Sequence, residues 1–158
     1  MTGALPQPRS IAAGIVAGIL GGVTILAGFA LLSLVLLPAP GFTLAGTFRF
    51  DASALVGKAA YTADAYVALG AGLHFIVAIG WAVGYAGVAE RQRQLLTRPL
   101  TSGAVFGVLV YFAMQFMLFA ANVYHNPTTL EFDIALIAHV VFYGFPVALV
   151  VGRFLRPR

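Results

Sequence analysis

Three polar side chains with hydrogen-bonding or ligand chemistry lie inside long apolar stretches: His74, Gln115 and His139. Imidazole exchanges a proton near neutral pH and binds metals, and an amide both donates and accepts hydrogen bonds. At about 1.5 Å per helical residue, His74 and His139 lie roughly 10–12 Å from the N-terminal ends of their stretches. Gln115 lies about as far from the C-terminal end of its stretch, which runs in the opposite direction. Because polar groups within such stretches usually face the protein interior, we expect these three to share one polar layer.

Two readings of this layer concern hydrogen bonds and protons. In the first, neutral histidines bond to Gln115, Ser33 or a backbone carbonyl and so hold neighbouring helices together. In the second, the histidines form a proton or ion path. The position of the carboxylates argues against the second reading, because none lies deep in an apolar stretch. Those nearest the stretches lie at their edges: Asp64, Glu131 and Asp133.

Two further readings concern bound groups. Axial coordination of haem or a related tetrapyrrole by His74 and His139 would make the protein a redox subunit. A site for copper or another metal would add Met114, Met117 or His125. Because neither pattern is specific, we predict no resident cofactor and no metal, and keep the tetrapyrrole as the alternative.

Residues on the same helix faces as the histidines are candidates to line a pocket. Positions seven and eleven residues after His74 share its face. Pro146, seven residues after His139, frees the Phe142 carbonyl and is expected to kink its helix beside the layer. The candidate lining consists of Trp81, Tyr85, Met114, Met117 and Pro146.

Motifs of soluble enzymes are missing from the chain. There is no Gly-rich phosphate loop, no HExxH and no serine elbow. Polar residues at the edges of the apolar stretches, Asp64, His125, Glu131 and Asp133, are interpreted as solvated charges and helix caps, with Asp133 or Thr129 capping the last helix. We therefore predict a protein without enzymatic activity.

Composition places the polar layer within a membrane. Of 158 residues, 61% are hydrophobic and 9% are charged, whereas soluble domains carry roughly 25% charged residues. A bilayer core requires about 20 apolar helical residues. The chain is thus expected to form one all-α domain, an integral membrane four-helix bundle with spans at 11–37, 66–89, 100–123 and 132–154.

The positive charges predict the orientation of the bundle. Seven of the nine Lys and Arg residues lie in the leader, in 90–98 and at the C-terminus, and two lie in 38–65. Because cytoplasmic loops are rich in Lys and Arg, both termini should be cytoplasmic and loop 38–65 extracytoplasmic. This topology, and not binding to nucleic acid, explains the net charge of +4.

Loop 38–65 is expected to combine a short extended or interfacial segment with a short helix. Phe42, Leu44, Phe48 and Phe50 alternate with smaller or polar residues, which suits an extended or interfacial segment. Asp51 or Ser53 would then cap a short helix that ends near Tyr61.

Glycine pairs at a spacing of four predict where helices pack closely. In lipid, small residues mark the faces on which backbones approach one another. Such faces also suit partners, so we expect a homo-oligomer or a subunit of a larger membrane complex. The function is then an accessory or structural subunit, or a protein that handles a small solute or protons. The pairs are Gly14 and Gly18, Gly80 and Gly84, and Gly103 and Gly107.

Two runs carry a resemblance to a known family. Residues 74–90, HFIVAIGWAVGYAGVAE, and residues 138–142, AHVVF, with their arginine-rich end, resemble helices of the YagU-like inner-membrane proteins. The similarity covers about residues 70–158, and loop 38–65 looks shorter than in typical members. The resemblance implies a four-helix fold in the bacterial inner membrane and no established catalytic residues.

Overall fold

The computed structural model describes residues 7–36, 43–123 and 128–156. These residues form helices and no strand. Three long helices are continuous: α1 Pro8–Leu36, α3 Ala65–Arg91 and α5 Pro99–Ala120. Two shorter helices, α2 Leu44–Val56 and α4 Gln94–Thr97, lie between them, and a 3₁₀ turn at Gly57–Tyr61 follows α2. The last membrane-length segment consists of α6 Thr129–Ile137, a π-helical segment Ala138–Gly144, and α7 Phe145–Leu155.

Four helical segments are long and apolar enough to cross a membrane. They are α1, α3, α5 and the continuous segment Thr129–Leu155, hereafter the fourth span, with mean hydropathies of 1.9 to 2.4. Their bounds differ from the predicted spans by at most three residues at each end. The all-α four-helix membrane fold predicted from composition is therefore confirmed.

Glycines determine which spans touch. Gly14 and Gly18 bring α1 onto α3, because a Cβ at Gly14 would lie 2.5 Å from the Cα of Val83. Gly103 and Gly107 bring α5 onto the fourth span in the same way. Since α1 also packs against the fourth span, the helices are arranged in the order α3, α1, fourth span, α5.

The third predicted glycine pair has no such role within the described part of the chain. A Cβ at Gly80 or Gly84 would have no heavy atom of another element of the described structure within 4 Å. Both glycines lie on the exposed face of α3. Their spacing is therefore not used for packing between the described helices.

The fourth span departs from regular α-helix just before Pro146. Proline lacks an N–H and crowds the preceding turn, which explains the wider π turns of Ala138–Gly144. The carbonyl of Phe142, which Pro146 leaves without its usual donor, accepts a hydrogen bond from the hydroxyl of Thr24 on α1. The irregular turn therefore allows a hydrogen bond between α1 and the fourth span.

The structure corrects the expectation for loop 38–65. Leu44–Val56 is a helix and not an extended segment; it is capped by the Thr43 hydroxyl, and neither Asp51 nor Ser53 caps it. It packs along α3 at Gly70, where the backbone carbonyl of Phe48 occupies the place of a side chain. Phe42, also part of the predicted extended segment, lies outside the described residues.

Both ends of the described chain lie at one end of the bundle, hereafter the arginine-rich end. Buried Ser10 near the start of α1 donates to Oε2 of Glu90 at 2.9 Å. The Arg156 guanidinium donates to the carbonyl of Leu96 through two nitrogens, at 2.7 and 2.9 Å. Helix α2 lies at the opposite end, because it connects the far ends of α1 and α3.

Candidate functional site

His74 of α3 lies between two hydrogen-bond acceptors from different helices. Its Nε2 is 3.1 Å from the carbonyl oxygen of Gly22 on α1, and its Nδ1 is 3.2 Å from Oδ2 of Asp51 on α2. The side chains of His74 and Asp51 are 13% and 20% exposed. Rings of Phe48 and Phe75 pack edge-on against the imidazole. The residues His74 and Asp51 are called the His74–Asp51 pair below.

These partners determine how many protons the pair holds. A carbonyl oxygen only accepts, so Nε2 of His74 carries a hydrogen. The contact between Nδ1 and Asp51 then requires one more hydrogen, either on the ring, which gives an imidazolium and a carboxylate, or on the carboxyl group. In both arrangements the pair has no net charge and shares one transferable proton.

The pair faces a cavity of about 490 Å³, hereafter the central cavity. Side chains from all four spans and from α2 line it, and most of them are apolar or aromatic. Its wall includes Trp81 of α3 and Met114 of α5, from the first and last helices in the order given above.

An aromatic cluster lies beside the central cavity toward the arginine-rich end. The ring of Phe106 lies between those of Tyr85 and Tyr143, with centroid distances of 4.7 and 5.8 Å. The Tyr85 hydroxyl shares a 2.8 Å hydrogen bond with Ser102, which joins α3 to α5 at this level.

The structure places most of the predicted site residues around the central cavity. His74, Gln115 and His139 all line it, although the two partners of His74 are Asp51 and Gly22 and not the other two members of the predicted layer. Three members of the predicted lining also line it, namely Trp81, Met114 and Met117. The other two do not: Tyr85 belongs to the neighbouring aromatic cluster, and Pro146 lies beyond the π-helical segment.

His139 has a different environment from His74. Its Nδ1 donates to the carbonyl of Ala135, 2.7 Å away on its own helix, and its ring packs edge-on against Phe29 and Tyr111. The residue lines the central cavity, and donation from Nδ1 makes its Nε2 a hydrogen-bond acceptor or ligand. Both ring nitrogens of His74, however, already have partners. Axial coordination of a tetrapyrrole by both histidines therefore does not fit this geometry.

The predicted surface carboxylates Asp64 and Glu131 have separate partners in the described structure. Among the described residues, no three His, Asp or Glu side chains lie close enough to hold a metal ion. Asp64 pairs with Arg49, and Glu131 forms a capping box with Thr128, so that Thr128, and neither Thr129 nor Asp133, caps α6. His125, which was part of the predicted surface set and of the copper reading, lies outside the described residues.

Asp51 is the functional residue that the sequence interpretation missed. The argument against a proton site considered Asp64, Glu131 and Asp133 and left out Asp51, which the structure places against His74 from a helix outside the four spans. A local signal was present. Thr43 before the segment and Gly57 after it, which adopts φ +60°, are typical helix-terminal residues. They delimit a helix that carries Asp51 in its interior.

Fold and site together define a multi-pass integral membrane protein with a histidine–carboxylate pair on the wall of a largely apolar cavity. The chain matches no protein-family model, no curated protein and no solved structure. The role of the site therefore has to be argued from its own chemistry.

Proposed function

We propose that this protein is a non-enzymatic membrane protein that holds a small, largely apolar solute in the central cavity and exchanges a proton at the His74–Asp51 pair. The observation that carries the proposal is the position of this pair on the wall of a cavity of about 490 Å³. Pockets for drug-sized molecules typically measure about 300–1,000 Å³ and combine an apolar lining with a few polar groups.

A purely structural role explains less of the site. The bond from His74 to Gly22 does join α3 to α1, as the first reading of the polar layer expects. A structural bond does not, however, account for the large and mostly apolar cavity on whose wall the pair lies.

Trp81 provides a direct test of solute binding. It is the only tryptophan of the chain and lines the central cavity. A neutral aromatic probe, 1-aminoanthracene, should quench Trp81 emission in the detergent-solubilised protein with saturable binding.

The matched variants for this test place the same ring in two environments. Val77→Phe adds a ring inside the cavity and should weaken binding of 1-aminoanthracene at least tenfold. Val105→Phe adds it at a lipid-facing position of α5, where the side chain is 57% exposed, and should leave binding unchanged. Saturable binding of equal strength in both variants would show that the probe does not occupy the cavity, and absence of any quenching would refute the proposed function.

We further propose that the protein lies in the bacterial inner membrane with both termini cytoplasmic. The distribution of arginines and the resemblance of residues 74–90 to YagU-like proteins support this location. Because the chain has no cysteine, single cysteines report topology without background. A membrane-impermeant maleimide added to spheroplasts should label Thr62→Cys and not Thr97→Cys; the reverse pattern would invert the orientation.

We also propose that the protein works as an oligomer or as a subunit of a larger complex. Two observations support an oligomer. The bundle is small, and Gly80 and Gly84 leave one face of α3 without a partner in the described chain. Light scattering of the protein in detergent, corrected for bound detergent, should give a mass at least twice 16.6 kDa. A mass of one chain, together with no crosslinked partner in membranes, would count against it.

A further inference from the structure

The charges around the central cavity select the kind of solute. Among the described residues that line it, the ionisable ones include the His74–Asp51 pair, His139 and Glu131, and none is Lys or Arg. Arg49, which is on the same helix as Asp51, bonds instead to Asp64 and to carbonyls of the following turn. An anionic solute would therefore meet no fixed positive charge, and burying an unpaired charge is costly.

The apolar part of the lining suits a cation. Phe29, Phe50, Trp81 and Tyr111 contribute aromatic side chains to the wall. Aromatic faces attract cations, tryptophan most strongly, and the attraction increases where water is excluded. Met114 and Met117 add polarizable thioethers that adapt to ligands of different shape. The wall thus combines one removable proton with surfaces that favour a bulky positive charge.

We propose that the solute is a lipophilic organic cation, which takes the place of the transferable proton at the His74–Asp51 pair. This inference rests on the proposed function. When the cation binds beside the carboxylate of Asp51, the shared proton leaves to solvent. His74 then remains a neutral imidazole that still donates from Nε2 to Gly22. One positive charge enters and one leaves, so the buried site stays neutral in both states.

Other ionisable groups face the pair from the elements around it. The fourth span contributes Glu131, Tyr143 and His139, whose Nδ1 donates to a backbone carbonyl. Helix α5 contributes Tyr111. The wall residues of α1 carry no ionisable group. Tyr143 donates to the carbonyl of Ala78 at 2.6 Å, and Glu131 belongs to the cap of α6. Asp51 is therefore the carboxylate that contacts His74.

The test compares two ions of the same shape and opposite charge. Tetraphenylphosphonium and tetraphenylborate are titrated into the full chain in a mild non-ionic detergent, with Trp81 emission reporting binding and a pH indicator reporting protons. The phosphonium should bind, release about one proton per site, and bind up to tenfold more tightly for each unit of rising pH, because it competes with one proton. The borate should bind at least tenfold more weakly.

Three variants test the role of the Asp51 carboxylate and the role of the transferable proton separately. Asp51→Asn should weaken phosphonium binding at least tenfold and abolish proton release, whereas Asp133→Asn, which removes an exposed carboxylate that does not line the cavity, should change neither. His74→Gln keeps a side-chain donor near Gly22 and keeps Asp51. Because this variant lacks the imidazole that shares the proton, it should bind the phosphonium with an affinity independent of pH. This result tests the proton exchange even if the Asp51→Asn variant does not fold.

Each outcome separates this inference from the proposed function. Equal binding of both ions, or binding of the phosphonium without proton release, overturns the inference. If 1-aminoanthracene binds while neither ion does, the inference is wrong and the proposed function stands. If no probe changes Trp81 emission, the proposed function itself is refuted.

Discussion

Gly70 allows α2 to lie close enough to α3 for Asp51 to reach His74. A methyl group at Gly70 would overlap the carbonyl oxygen of Phe48 and would lie 2.9 Å from its Cα. Ordinary contact begins at 3.4 Å, so Gly70→Ala must move the Cα of Phe48 away by at least about 0.5 Å. The same displacement applied to the 3.2 Å contact of the pair lengthens it to about 3.7 Å, which is beyond hydrogen-bonding distance.

The expected cost follows from this lost contact. A hydrogen bond to a charged group contributes about 1.5–3 kcal/mol, and replacing glycine by alanine within a helix returns about 1 kcal/mol. The overlap with Phe48 adds about 1–3 kcal/mol for overpacking, so we expect Gly70→Ala to lower the free energy of unfolding by roughly 1.5–5 kcal/mol in total. The variant should also lose the proton release that accompanies phosphonium binding, because Asp51 no longer contacts the ring.

The control for Gly70→Ala lies two residues away on the same helix. A Cβ at Gly72 would have no other heavy atom within 4 Å among the described elements, so Gly72→Ala should be neutral or slightly stabilising. Unfolding in mixed micelles of increasing SDS content, followed by circular dichroism, measures the difference between the two variants. If Gly70→Ala proves as stable as Gly72→Ala and still releases a proton, the docking of α2 does not hold the pair together.

Two further predictions test the packing of the spans by the same SDS unfolding. Gly107→Ala places a Cβ 2.5 Å from the carbonyl oxygen of His139 and should cost about 1–3 kcal/mol, whereas Gly72→Ala, with open space at its Cβ, should be neutral or slightly stabilising. Equal effects of the two changes would contradict the packing of α5 against the fourth span. Tyr143→Phe removes the hydrogen bond to the Ala78 carbonyl and should lower the free energy of unfolding by about 1 kcal/mol. Tyr61→Phe, at a residue that is 55% exposed, should have no measurable effect. If Tyr143→Phe is as stable as the unchanged protein, this hydrogen bond makes no net contribution to stability.

Several features of the fold were predictable because they depend on local composition. In lipid every backbone polar group must be satisfied within the segment, so a long apolar run is a helix whatever surrounds it. The four spans were therefore identified to within three residues at each end. The packing role of Gly14 and Gly103 also followed from local pattern, as did the special position of Pro146 in its helix.

The sequence by itself determined the four spans, and with them the two histidines and the glutamine that line one cavity. It did not determine the partner of His74, because Asp51 is 23 residues away in a segment whose helix is apparent only from its terminal residues. Nor did it distinguish Gly80, which faces outward, from Gly14, which packs against another helix. Spacing along one helix shows which residues share a face. Which face meets which neighbour depends on the packing of all the helices together, and that packing placed a carboxylate beside His74.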